Sequence, residues 1–125
     1  MTTSQPPRAV RIANCSGFFG DRLSAAKEMV EGGDICMLTG DWLAELTMFI
    51  LHKQRNRNAE LGYARTFLLQ MEQVLATCFE RGIKVVTNAG GLNPAGCAEK
   101  VREIASRLGL AVTVAHIEGD DLMDR

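Results

Sequence analysis

Several residue types and patterns are scarce in this chain of 125 residues, and each scarcity removes a class of function. It holds two histidines and four cysteines, Cys15, Cys36, Cys78 and Cys97, none of them in a CxxC pair, so a zinc finger or ribbon is not expected. The most apolar stretch, residues 42–51, is interrupted by Glu45 and is far too short to span a bilayer. The opening MTTSQPPR lacks the apolar core of a secretory signal. An excess of one charge is also missing. A net charge of -1 offers no electrostatic reason to expect nucleic acid or an anionic membrane as partner. Without an export signal a reduced, cytoplasmic setting is expected, and disulfides are not.

What is present has the balance of a folded domain. Apolar residues make up 46% and charged residues 23%, in a length that encloses one sizeable core. Four short runs of strand character alternate with helical patterns: residues 9–15 (AVRIANC), 34–39 (DICMLT), 83–88 (IKVVTN) and 111–117 (AVTVAHI). Their middles carry little polarity, as expected of strands covered on both faces. Between the first two runs, residues 23–31 place Leu23, Ala26 and Val30 on one side of a helix that Gly32 and Gly33 should stop in left-handed geometry. Asp41 is a candidate N-cap for a helix to about Lys53. Its Leu43, Leu46, Phe49, Ile50 and Leu51 wrap around more than one face, which calls for burial on two sides, within a larger domain or a dimer. The basic end with Lys53, Arg55 and Arg57 reads as a solvated helix terminus. A second helix, residues 63–81, shows a stripe of Phe67, Met71, Val74, Leu75, Cys78 and Phe79 before Gly82. The last helix starts with Asn93 as N-cap and Pro94 at its first position, and stops at Gly109.

The order βα-β-αα-βα-β predicts an α/β fold: an open parallel sheet of about four strands with helices on both faces, Rossmann-like in arrangement. Residues 1–8 are expected to be a loose tail and residues 9–125 one α/β domain. The sequence stops eight residues after the fourth run, as expected for the front part of a larger domain, with a small complete four-stranded domain as the alternative.

In a parallel sheet all strand C-termini lie on one edge, where ligands bind. Four loops should meet there: residues 14–22 (NCSGFFGDR), 39–41 (TGD), 88–94 (NAGGLNP) and 118–121 (EGDD). Each combines glycine with small polar or acidic residues, whereas the opposite ends of the elements read as ordinary helix stops. The candidate ligand-binding residues are Asn14, Cys15, Ser16, Gly17, Gly20, Asp21, Arg22, Gly40, Asp41, Asn88, Gly90, Gly91, Asn93, Gly119 and Asp120. No catalytic residue or cofactor is assigned, and whether the chain is an enzyme stays open.

Gly17 and Gly20 before a helix resemble a phosphate-cradling turn with Arg22 as cationic partner, although the spacing is neither GxGxxG nor Walker A, and a plain strand-to-helix turn explains the glycines equally well. Gly90 and Gly91 before the Asn93–Pro94 cap form a second helix N-terminus, open to an anion or simply well capped. Cys15 sits where a nucleophile could be placed, with His116 as a base that could approach in space, but packing or ligand contact is the favoured reading. Cys97, one turn into the last helix, should feel the helix dipole, while Cys36 and Cys78 fall on core faces. Asp41, Glu118, Asp120 and Asp121 could hold Mg²⁺ or orient ribose and substrate hydroxyls. Capping by Asp41 and a solvated acidic tail is the plainer alternative, and no metal is assigned.

In the same order along the chain, RIANCSGFFGDRLSAAKEMVEGG, LTGDWLAELTMFIL, GYARTFL, GIKVVTNAGGLNPAGCAE and AHIEGDD resemble the N-terminal part of the acyclic terpene utilisation family, AtuA, from about Arg11 to Asp121. The candidate positions other than Cys15 follow that family's pattern, whereas residues 52–58 are less characteristic of it. The resemblance implies a bacterial-type cytosolic protein in the breakdown of acyclic terpenes such as citronellol and geraniol, through acyl-CoA thioesters. It implies a small-molecule ligand, with an acyl-CoA as the candidate, and brings no settled reaction. Family members are considerably longer, so a C-terminal portion of the same protein is an expected partner, beside a second copy of the chain. Two other readings stand next to it: a non-catalytic subunit of an acyl-CoA-processing complex, and a nucleotide-binding module.

Overall fold

Three of the four β-like runs become strands, and they pair in the order in which they occur. The computed structural model describes residues 6–125. Strand β1 (Ile12–Asn14) lies parallel to β2 (Met37–Gly40), which lies parallel to β3 (Lys84–Thr87). Helix α1 (Ala25–Gly32) follows β1, α2 (Glu45–Arg57) and α3 (Arg65–Arg81) follow β2, and α4 (Pro94–Arg107) follows β3. Residues 6–8 of the expected tail are exposed and irregular, and the rest of that tail lies outside the described residues.

Side-chain alternation along the strands sets the layers. Ala13, Leu38 and Val85 are in register and join the core with Val30 of α1, Met71, Val74 and Cys78 of α3, and Val101 and Ile104 of α4. Trp42 is fully buried in the same core and meets Phe67 edge-on at 6.2 Å between ring centroids. Such a pair contributes about 1 kcal/mol beyond its buried area. The alternate residues point the other way. Ile12 and Val86 are 60% and 55% exposed, and Lys84 and Asn14 are exposed with them. Among the described residues the helical layer covers one face, with α1 against β1 and β2, α3 beside α1, and α4 beside α3. The expectation of helices on both faces is therefore not met. Nor does the order β1-β2-β3 reverse direction, so these strands have no topological switch point of the doubly wound kind.

The fourth run departs furthest from expectation. Residues 111–115 alternate in exposure as a strand should, and Val112 and Val114 pack against the core, yet residues 115–117 are exposed in succession and no ladder forms. Side-chain anchors hold the run instead. Arg102 of α4 donates to the Val114 carbonyl at 2.8 Å, and Arg55 of α2 binds Asp121 at 2.8 Å. A cavity of about 980 Å³ is bounded both by β3 and by this run.

Local boundaries are partly as expected. Asn93 caps α4 by accepting from Gly96 N at 2.9 Å, with Pro94 first in the helix. Gly82 ends α3 in the left-handed region at φ 66, its N–H bonding back to Cys78 and Phe79 carbonyls. By contrast, Gly33 at the end of α1 is extended, so the expected left-handed stop is absent there. Helix α2 begins four residues after Asp41, with Ala44 at the cap position. Phe79, expected on the buried stripe of α3, is largely exposed, as are Leu46 and Phe49 of α2.

Candidate functional site

The tips of β1, β2 and β3 are laced together by the residues that immediately follow them. Cys15 N donates to Thr39 O at 2.8 Å, and Asp41 N donates to Ser16 O at 3.0 Å, joining the first tip to the second. The third tip joins through Asn88. Its Oδ1 accepts from Trp42 N at 2.8 Å and its Nδ2 donates to Asp41 Oδ1 at 2.7 Å. Thr87 Oγ1 adds a bond to Gly40 O at 3.3 Å. Asn14 folds onto the same tip, with Nδ2 donating to Ser16 O at 2.8 Å. Asn14, Cys15, Ser16, Gly40, Asp41 and Asn88 are thus brought together as expected. Because Asp41 is locked into this lattice and turns back on Leu43 N at 3.3 Å, it orders the edge and does not cap α2.

Gly40 is essential to the lattice by close approach. A Cβ there would stand 2.7 Å from Trp42 Nε1 and 3.5 Å from Cys15 Sγ. That indole N–H is buried and has no hydrogen-bond partner among the described residues. Gln70, fully buried on α3, links Cys15 Sγ at 3.6 Å to the Arg22 carbonyl at 3.3 Å. Neither Trp42 nor Gln70 was a sequence candidate. The signal for Gln70 was a lone polar residue within the apolar stripe of α3.

The glycine loops are not open anion cradles. In the first loop Asp21 turns its own carboxylate onto Gly17 N at 2.9 Å and Arg22 N at 2.7 Å. These two backbone donors hold the Asp21 carboxyl below its ordinary range. Arg22 is paired with Glu28 at 2.8 Å, and Gly20 marks the bend of the loop at φ 87. At the third loop Asn93 takes the Gly96 and Cys97 N–H groups, and its own Nδ2 donates to Glu60 O at 3.1 Å and Leu61 O at 3.2 Å. Gly90 and Gly91 are there for packing. A Cβ on Gly90 would meet Pro94 Cα at 2.8 Å, and one on Gly91 would meet Gly62 O at 2.8 Å and strike Leu51.

The fourth loop comes near the edge without bonding to it. Asp120 lines the large cavity together with Asn88, Gly90 and Gly91, while Gly119 is exposed and joins no other tip. Arg55 ties this loop to the third by donating to Leu92 O and to Asp121, both at 2.8 Å, which draws the Asp121 carboxyl below its ordinary range. The basic end of α2 is therefore an anchor as well as a solvated surface. The four acidic residues do not converge: Asp41 bonds to Asn88, Asp121 to Arg55, and Glu118 pairs with His116 at 3.4 Å. Among the described residues no three acidic, histidine or cysteine side chains are grouped to hold a cation.

Residues 10–125 match the family described as acyclic terpene utilisation family protein AtuA. The chain belongs to the AtuA family. The match takes in all three strand tips and the fourth loop, so the lattice around Asp41 and Asn88 lies wholly within the AtuA segment. Neither the curated proteins nor the solved structures give a match.

The AtuA chain's cysteines are free thiols, three of them buried. Burial raises Cys15, and it pushes Cys78 and Cys97 up to about 11. For Cys97 burial outweighs the helix-dipole effect expected from its place in α4. His116 is engaged with Glu118 and Cys15 with Gln70, so the pairing of Cys15 with His116 does not form. Native protein at neutral pH should accordingly react with a thiol reagent at Cys36 first, and at Cys15, Cys78 and Cys97 only on unfolding. Mass-spectrometric mapping of alkylated sites reads this, and rapid labelling of Cys15 in the folded chain would contradict the buried geometry.

No described helix is long and apolar enough to cross a membrane.

Proposed function

We propose that the edge built on Asp41 and Asn88 binds the hydrogen-bond-donating part of a small ligand in acyclic terpene breakdown, with a branched acyl-CoA as the ligand class and the cytoplasm as the setting. One observation carries this reading: at the junction of three strand tips the exposed Asp41 carboxylate accepts from Asn88 Nδ2, while the Asp41 backbone N–H donates to the Ser16 carbonyl. Since the N–H groups of Gly17, Arg22, Gly91 and Gly96 are already satisfied, the edge offers acceptors more than donors. It therefore suits hydroxyl and amide N–H groups, such as those along a pantetheine arm or ribose, better than a phosphate.

Thermal unfolding with geranyl-CoA, coenzyme A and ADP tests the proposal. Geranyl-CoA at a hundredfold excess over its Kd should stabilise the native state by about 2.7 kcal/mol. Asp41→Asn should abolish that shift while leaving the unliganded melting temperature nearly unchanged. A chain that none of the three compounds stabilises would sink the reading, and a response to ADP equal to that of geranyl-CoA would favour a nucleotide-binding module. A second reading, a non-catalytic subunit of an acyl-CoA-processing complex, is favoured by Leu46 and Phe49, which α2 leaves 69% and 54% exposed. Light scattering of the same sample separates the two.

A further inference from the structure

We infer that the space between β3 and residues 111–117 is a slot for one β-strand, supplied by an extended segment of a partner polypeptide. This goes beyond the ligand edge, which borders the same cavity at Asn88 but is built on Asp41, outside the cavity lining. The evidence is the pairing state of two backbone rows. Lys84 N donates to Cys36 O at 3.1 Å, so Lys84 and Val86 address β2. In a parallel ladder successive residues address opposite neighbours, which turns the N–H and C=O groups of Val85 and Thr87 outward. No backbone bond reaches them among the described residues. Among the described residues, 111–117 face the same cavity and make no backbone–backbone hydrogen bond, and of their backbone groups only the Val114 carbonyl is engaged, by Arg102.

Both rows line one cavity of about 980 Å³ whose helical wall is apolar, with Met71, Leu75 and Val101 in it. A small apolar ligand would cover that wall and leave two rows of donors and acceptors unsatisfied, which is costly in a water-poor site. A strand satisfies both rows at once, as in β-augmentation, and its alternate side chains meet the wall. The four residues of β3 span about 13 Å, matching a strand of ordinary length. The stated partner is therefore an extended segment that alternates apolar residues toward α3 and α4 with polar residues toward the open face of the sheet.

The test uses the whole chain and an acetylated peptide of about seven residues alternating valine and threonine, beside the same peptide N-methylated at alternate residues. Binding by calorimetry should weaken at least about tenfold on N-methylation, because main-chain donors are lost while side chains stay. Hydrogen exchange should be fast at Val85, Thr87 and residues 111–117 in the free chain and slow in the peptide complex. Equal binding of the two peptides, or no binding of the unmodified one, overturns the proposal. So does slow exchange in the dilute free chain, which would mean that residues 111–117 close onto β3 unaided. Protection that grows with protein concentration alone would assign the slot to a second copy, and protection by geranyl-CoA would assign it to the small ligand. Either result overturns the partner strand without touching the Asp41 experiment.

Discussion

Gly91→Ala is expected to be the most damaging single-methyl change in the chain, lowering stability by about 2–5 kcal/mol. Two causes add. Gly91 adopts φ 53, a left-handed conformation that costs a residue with Cβ about 1–2 kcal/mol. Its Cβ would also meet the Gly62 carbonyl oxygen at 2.8 Å and strike the Leu51 side chain. The carbonyl cannot retreat freely, because it accepts from Leu92 N at 2.8 Å and so holds the third loop against the start of α3. Gly82→Ala is the matched control. Gly82 has φ 66 with nothing within 4 Å of the added methyl, so it should lose only the conformational part, about 1–2 kcal/mol. Urea denaturation at constant m-value compares the two. Equal losses would show that the 62–91 contact yields easily, and the tight-packing account of the glycine pair would fall. Against a total stability of about 5–15 kcal/mol for a domain, the larger loss leaves a marginal fold.

That pair also shows how far the sequence could be read. Spacing and caps located three strands and four helices, since Asn93, Pro94 and Gly82 act through local backbone chemistry that needs no knowledge of the rest of the fold. The convergence of Asn14, Ser16, Gly40, Asp41 and Asn88 was legible for a related reason: parallel strands put their C-terminal residues on one edge. What the glycines do there was not legible. A glycine that frees a backbone N–H for an anion and a glycine that lets two chains touch look identical in sequence. Only the partner atoms, Asp21 on Gly17 N and Gly62 on Gly91, separate the two. The fourth run failed for a reason of another kind. Residues 111–117 have β-propensity, but a strand is a relation between two segments, and β3 is not paired with this run. Arg55 reads in sequence only as a solvated helix end, and Gln70 is not singled out at all, because their roles depend on contacts 37 or more residues away.

Asn88 should distinguish a lattice held by hydrogen-bond chemistry from one held by shape alone. Asn88→Asp keeps an oxygen for Trp42 N but replaces the donor to Asp41, 2.7 Å away, by a second carboxyl oxygen. At about pH 7 the variant should be less stable than the parent by about 1–3 kcal/mol, a range that allows for the solvent screening of two exposed side chains. The introduced carboxyl, crowded by Asp41, retains its proton to a higher pH than a free aspartate, so the folded variant binds more protons than the unfolded chain in that interval. Its deficit must therefore shrink as the pH falls toward about 5 and grow as the pH rises. Asn88→Ala removes both bonds and leaves the Trp42 backbone N–H unpaired, costing about 1–3 kcal/mol with no such pH dependence. Urea midpoints at the two pH values for the three proteins decide the matter. A pH-independent loss in Asn88→Asp would mean that the two side chains move apart freely. An edge that loose could not pre-position the Asp41 carboxylate for a ligand.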